Sequence, residues 1–195
     1  MRQIAALTAV VLLIVSAAYA AEPEVHSVTP AMAAVCVQVD EAIELDGVLD
    51  DAAWEHGIAF SGFTFSSPQA QMPYNQTSAT VVWDEDALYV GVRCHEENME
   101  GLVATETGLD AKVWHDDDIE LFFDPRHTHR EFLQFAANSL AAQFDGKTGV
   151  GTWDSKWQVA AHTDETGWNL ELRIPYKALG LSPRPGNVWG FNICR

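Results

Sequence analysis

Basic residues are scarce in this 195-residue chain: 11 lysines and arginines stand against 28 aspartates and glutamates, for a formal net charge of −17. So acidic a surface repels phosphate backbones and anionic lipid, which argues against nucleic-acid and membrane-surface partners and leaves neutral ligands, cations and basic surfaces. Cysteine is sparse as well. Cys36, Cys94 and Cys194 contain no C-x-x-C pair of the kind that builds a zinc site or a redox centre. All three lie in apolar, strand-like runs, where a thiol behaves as a small buried hydrophobe. Their odd number leaves at least one outside any intramolecular bridge, and a Cys94–Cys194 bridge stays open. Catalytic signatures are missing: there is no Gly-x-Ser-x-Gly elbow, no His-Glu-x-x-His and no phosphate-cradling glycine loop. Internal repeats and low-complexity segments are absent too.

Only one long hydrophobic run occurs, and it lies at the start. Met1-Arg2 is followed by the mostly apolar Ile4–Val15, and Ala18-Tyr19-Ala20 has the small-x-small form that signal peptidase cleaves. The run is shorter than the roughly 20 residues that span a bilayer, so residues 1–20 are expected to be a removed export signal. The mature chain is then a soluble protein of the periplasm, cell surface or extracellular space. Residues 21–34, with their prolines and alanines, are expected to be a linker, and residues 35–195 a single domain. At 48% hydrophobic and 20% charged residues the composition is that of a globular chain.

The periodicity is that of strands. Two-residue alternation marks Thr77–Trp83, Ala87–His95, Asp118–Asp124, Glu131–Asn138, Lys156–Thr163, Gly167–Ile174 and Val188–Arg195. Turn signals separate them, among them Asp84-Glu85-Asp86, Asp145-Gly146 and Pro183-Arg184-Pro185-Gly186. Only Asp50–His56 and Pro175–Leu179 have a helical pattern, each a turn or two long. Many short strands with no long helix predict an antiparallel β-sandwich of the all-β class.

Alternation also assigns faces. Ile119, Leu121 and Phe123 oppose Glu120; Leu133, Phe135 and Ala137 oppose Gln134, Ala136 and Asn138. If these strands are neighbours, Glu120, Gln134 and Asn138 share a polar face on which rigid strands present hydrogen-bonding groups. Of the seven tryptophans, Trp54, Trp83, Trp157, Trp168 and Trp189 fall at core positions. Trp114 precedes its strand beside Asp116-Asp117-Asp118, where burial is hard to arrange, and is the candidate for an exposed functional ring; Trp153 is a weaker one. An exposed indole suits the C–H face of a sugar, and a carboxylate such as Glu120 suits its hydroxyl rim. The aspartate run is a candidate calcium ligand set, chiefly through Asp116 and Asp117, without the spacing of an EF-hand. His127 and His129 lie in a turn with no matching metal ligand. Asp118 and Glu120 form a same-face carboxylate pair, as a glycosidase would need, but nothing in the sequence marks either as protonated.

Five blocks resemble a known family. Ile43–Trp54 resembles the opening motif of family 9 carbohydrate-binding modules, Trp83–Val90 their second block and Val113–Asp124 their third. Trp168–Pro175 and then Gly190-Phe191-Asn192 are similar to the two late strands. The resemblance implies an immunoglobulin-like sandwich that binds mono- or oligosaccharides or polysaccharide ends without catalysis, often attached to a secreted glycoside hydrolase. It implies that Trp114 is the first of two tryptophans clamping a terminal sugar and that Glu120 hydrogen-bonds the sugar hydroxyls. The family's strand arginine aligns with Ala136, while Asn138 falls on the same face. The second tryptophan aligns past Arg195, so the sequence is expected to be truncated at its C-terminus. Structural calcium occurs in some members. Two alternatives remain: a related DOMON-type haem or redox sandwich, for which Met72 and Met99 are the loop methionines, and a structural cell-surface domain without sugar affinity.

Overall fold

The computed structural model describes residues 33–65 and 72–195; the expected signal segment 1–20 and all of the linker but its last two residues lie outside them. Ten strands form two sheets. They are β1 (Val37–Gln38), β2 (Phe60–Ser61), β3 (Thr77–Trp83), β4 (Ala87–His95), β5 (Asp118–Asp124), β6 (Leu133–Asn138), β7 (Gln143–Lys147), β8 (Gln158–Asp164), β9 (Gly167–Pro175) and β10 (Gly190–Cys194). One sheet has the order β1-β3-β4-β9-β8, with β2 also on the outer edge of β3; the other has the order β10-β5-β6-β7. All pairings are antiparallel except the two-residue parallel contact of β1 with β3. Two helical turns, α1 (Ala52–His56) and α2 (Tyr176–Leu179), complete an all-β sandwich.

The local chemistry agrees with the strand pattern. The β3–β4 hairpin closes on Asp84, whose Oδ1 accepts the N–H groups of Asp86 and Ala87 at 2.7 and 2.8 Å and so stands in for a backbone turn. β3, β4 and β5 occupy the residues the alternation predicts, and the other expected strands shift by one or two residues at their ends. Three strands carry no such signal. β1 and β2 are too short to show a period. β7 contains Asp145-Gly146, a turn sequence, yet Asp145 lies opposite Phe135 with its side chain buried. Its carboxylate accepts from Ser155 N at 2.8 Å and Trp157 Nε1 at 3.3 Å, and these bonds replace the water that a turn aspartate would keep.

The core lies between the sheets. Val90, Val92, Leu170, Leu172 and Ile174 of the larger sheet face Ile119, Leu121 and Phe135 of the smaller, with Trp168 and Trp157 buried toward opposite ends of β9. Each of these side chains contributes roughly 1.5–3 kcal/mol by leaving water.

The far face of the larger sheet is covered as well. Alternation in β9 predicts a solvated side bearing Asn169 and Glu171, but both are buried, Glu171 completely. The opening segment lies across this face. Val39, Ala53 and Trp54 pack there on Val82 and Tyr89, and Gly91 admits the ring of Trp54 where a Cβ would lie 3.2 Å from it. Glu171 latches that segment: it accepts from Trp54 Nε1 at 2.9 Å, Gly47 N at 2.8 Å and Asp46 N at 3.0 Å. Burial raises its carboxyl above the usual range, against those three donors.

Of the three cysteines, only Cys36 departs from the expected burial. Cys94 is buried in β4 and Cys194 half-buried in β10, but the two strands belong to different sheets and both thiols are free. Cys36 is exposed just before β1, where the chain runs along an edge rather than inside the sandwich.

Candidate functional site

β5 and β6 are neighbours, and their register brings the expected polar residues to one face. Glu120 lies opposite Ala136, Phe122 opposite Gln134 and Asp118 opposite Asn138. On the other side of β5, Cys194 lies opposite Glu120 and Asn192 opposite Phe122. β7 sets Phe144 beside Ala136 and Gly146 beside Gln134. The outer face of the smaller sheet therefore carries a carboxylate, two amides and aromatic rings on a backbone fixed by strand pairing. Glu120 and Gln134 are half-buried and bonded, Gln134 Nε2 donating to Glu120 Oε2. The remaining lone pairs of Glu120 can accept hydroxyl protons, and Asn192, exposed on the edge strand, adds an amide.

Trp114 stands at the end of this face, in a 3₁₀ turn, Val113–His115, just before β5. The residue is 46% exposed. Its ring lies 5.0 Å from that of Phe144 with planes at 88°, and 6.1 Å from that of His115 with planes at 75°. The turn is anchored by Val113, fully buried with Ala111, Ala136 and Ala142. Ala136 is thus enclosed under the turn that carries the tryptophan. A partly exposed indole is a stacking surface for an apolar ring face.

Asn138 is placed differently from Glu120 and Gln134. It is completely buried, and both ends of its amide are occupied. Nδ2 donates to Glu106 O at 2.9 Å and Asp116 Oδ2 at 2.8 Å; Oδ1 accepts from Leu140 N and Ala142 N, each at 3.0 Å. It fixes the loops that position the site and presents no free group to a ligand. Asp116 turns inward too: its carboxylate accepts from Thr105 N at 3.0 Å, Thr105 Oγ1 at 2.8 Å and Glu106 N at 2.8 Å. Burial works against its charge, but these donors and Asn138 prevail and hold the carboxyl below the usual range. Asp117 Oδ2 accepts from Val103 N at 2.8 Å. The oxygens of both calcium candidates thus tie down the 103–106 segment, and no group of three or more His, Cys, Asp or Glu among the described residues is arranged to hold a metal ion.

Asp118 is on the same side of β5 as Glu120 but is covered. It is buried, and its Oδ2 is enclosed without a hydrogen-bond partner. Burial, then the charges of Glu120, Asp116 and Asp117, push its carboxyl up to about 7. This distinction between two carboxyls two residues apart is invisible in the sequence, and the enclosed oxygen is out of reach of a ligand.

The other candidates are dispersed. His127 and His129 are exposed in the β5–β6 loop with ring centroids 4.3 Å apart. Met72 is exposed, and Met99 is half-buried in a 3₁₀ turn. Trp153 is half-buried, edge-on to Phe135. Sequence reasoning missed Phe144, Phe122 and Asn192. Alternation within Gly190–Cys194 would have turned Asn192 outward, whereas the Asp145-Gly146 turn signal hid the strand bearing Phe144.

The family model described as carbohydrate family 9 binding domain-like matches residues 45–194. Among solved structures, a family 9 carbohydrate-binding module from Caldicellulosiruptor kristjanssonii in complex with cellotriose superposes with a TM-score of 0.61 at 18% identity, covering 82% of this chain and 74% of that one. A family 9 module from the same organism in complex with glucose gives 0.59 at 17% identity, covering 82% and 76%. No curated protein matches the chain significantly.

Proposed function

Because the chain belongs to the carbohydrate family 9 binding domain-like family, we propose that it binds carbohydrate without acting on it chemically, through the Trp114–Glu120 face of the smaller sheet. The observation that carries this reading is Trp114, 46% exposed and packed at right angles to Phe144, at the end of a strand face that presents Glu120 and Gln134. A sugar ring stacks its C–H face on the indole and directs a pair of hydroxyls to the Glu120 carboxylate, in charge-assisted bonds stronger than neutral ones. Gln134 holds that carboxylate in place, and Asn192 extends the hydrogen-bonding edge. Asn138 acts one step behind, as a positioning residue for the Trp114 turn. The acidic surroundings favour a neutral polyol, which donates protons, over an anion.

In the cell the chain works after export directed by residues 1–20, outside the cytoplasm. It holds an associated polysaccharide-degrading enzyme at chain ends of its substrate and raises their effective concentration. Cellotriose and glucose, the ligands of the two similar modules, are the first sugars to test. The test is titration of the purified protein with glucose, cellobiose, cellotriose and xylo-oligosaccharides, followed by tryptophan fluorescence and calorimetry. Saturable binding of a neutral sugar that disappears in Trp114→Ala supports the reading. Absence of binding to the whole series, or binding indifferent to Trp114, overturns it.

A further inference from the structure

At the opposite end of β5 from Trp114 lies a pocket of about 220 Å³, between the turn that follows β5, the end of β7, the segment around Trp153 and α2. It is smaller than the roughly 300–1,000 Å³ of drug-sized ligand sites, a size for a single ring. Its floor is apolar, with Leu179 buried, and the half-buried Trp153 indole forms part of the wall. Its rim is basic: Arg126, Lys147 and Lys177 line it together, all exposed.

That convergence is unusual in a chain with 28 acidic and 11 basic residues, where a pocket is expected to be ringed by carboxylates. Among the described residues, none of the three cationic side chains takes part in an ion pair, whereas Arg93 and Arg195 are paired with Asp164 and Glu96. Two acids border the pocket, Asp124 and Glu131. Asp124 is buried, and its carboxylate closes the turn, accepting from Arg126 N at 3.2 Å, Thr128 Oγ1 at 3.3 Å and His129 N at 2.6 Å. Three cations against these two carboxylates leave the lining with a net positive charge. Positive potential confined to a small apolar cleft recognises a single anionic group on an apolar frame; a long polyanion is repelled by the rest of the surface.

We propose that this pocket is a second binding site, for a sugar unit bearing a carboxylate or a sulfate. The ring lies against Trp153, and the anionic group reaches Lys147, Lys177 and the Arg126 guanidinium, whose planar fork fits carboxylate and sulfate oxygens alike. The site is separate from the Trp114 surface: it is built at the Asp124 end of β5, and Trp114, Glu120 and Gln134 are not among its lining residues. It stands whether or not neutral sugar binds at Trp114.

The test is calorimetric titration of the purified protein with a galacturonate trimer, its methyl-esterified counterpart, a sulfated galactose disaccharide and inorganic sulfate. Saturable binding of the galacturonate trimer or the sulfated disaccharide is expected, and the arm that binds identifies the anionic group. Methyl esterification should abolish binding of the trimer. The double variant Lys147→Ser/Lys177→Ser, at two exposed positions, should retain its melting temperature and weaken the bound acidic sugar about fivefold or more. Raising the salt from about 20 to about 300 mM should weaken it similarly, and Trp114→Ala should leave it unchanged. Failure of both acidic sugars to bind overturns the proposal, as does equal affinity in the double variant or in Trp114-independent binding of the esterified trimer. Inorganic sulfate binding as tightly as the sugars would leave only a simple anion site and overturn it as well.

Discussion

Asn138 Nδ2 donates to Asp116 Oδ2 at 2.8 Å, and through that bond the last residue of β6 holds the loop that carries Trp114. Asp116 directly follows the 3₁₀ turn and gives its N–H to Val113 O at 2.9 Å, so the side-chain bond and the turn share one residue. The position of the exposed ring therefore depends on a buried amide. Asn138→Ala leaves Leu140 N, Ala142 N and Glu106 O without their partner, and is expected to cost about 2–4 kcal/mol in chemical unfolding. Asn138→Asp keeps the acceptor, loses the donor and sets a second carboxylate against Asp116, so it should destabilise comparably. An unfolding midpoint unchanged in both variants would remove Asn138 from this role.

Binding at the face itself is predicted to divide between stacking and hydrogen bonding. Trp114→Ala should weaken a neutral oligosaccharide by about tenfold or more, the effect of losing a central aromatic contact. Its stability cost should be only about 0.5–1.5 kcal/mol, since the residue is 46% exposed and its aromatic contacts are with Phe144 and His115. Glu120→Gln keeps the shape and loses the charge, and should weaken binding about three- to tenfold. Competition titrations on the two variants and their combination separate these effects. If Glu120→Gln binds as tightly as the parent, the carboxylate is not the hydroxyl acceptor.

How far the sequence discloses this arrangement depends on what each residue's neighbours are. In β5, alternation alone places Ile119 inside and Glu120 outside, because the smaller sheet has one bare face. In β9 the same pattern misleads at Glu171: the polar face is covered by a segment more than a hundred residues earlier in the chain, and period-two spacing carries no information on what lies across a sheet. Asp145-Gly146 is a turn dipeptide by local preference, but core hydrogen bonds to Ser155 and Trp157 hold it in a strand. Asn138 shares a face with Glu120 as the alternation requires, yet the loop above encloses it. Strand spacing fixes side, not exposure, so Trp114 was legible from its aspartate-rich context while the task of Asn138 was not.

The latch on the covered face gives a stability prediction. Gly47 has φ +86°, and a Cβ there would lie 2.4 Å from the carbonyl carbon of Ala161, so Gly47→Ala is disfavoured both by conformation and by space. A loss of about 2 kcal/mol or more is expected. Glu171→Gln retains one acceptor oxygen but places an amide NH₂ where the carboxylate oxygen receives Gly47 N and Asp46 N, or Trp54 Nε1. It should cost about 1–3 kcal/mol. Thermal unfolding of both variants measures this, and neutral sugar binding at 20 °C should survive in each, because the latch lies on the opposite sheet. Loss of binding in variants that remain folded would show the two sheets to be coupled.

Asp118 makes stability depend on pH in a direction opposite to that of an ion-paired carboxylate. In the folded chain its carboxyl is pushed up to about 7 from the 3.8 of a free aspartate, by burial first and then by Glu120, Asp116 and Asp117. Between those two values the folded state binds more protons than the unfolded state. Its contribution to stability is therefore full below pH 3.8 and is lost as the pH rises through about 7. Asp118→Asn removes the charge and keeps the shape, and its amide, like the neutral acid, has an enclosed polar atom without a partner. The variant should then be about 2–4 kcal/mol more stable than the parent at pH 8, with the gap roughly halved near pH 5 and closed only below pH 3.8. Glu171 and Asp145, also raised by burial, titrate in both proteins and cancel in the difference. Urea unfolding at the two pH values measures that difference directly; a gap of equal size at both would mean that Asp118 ionises in the folded chain as it does in water.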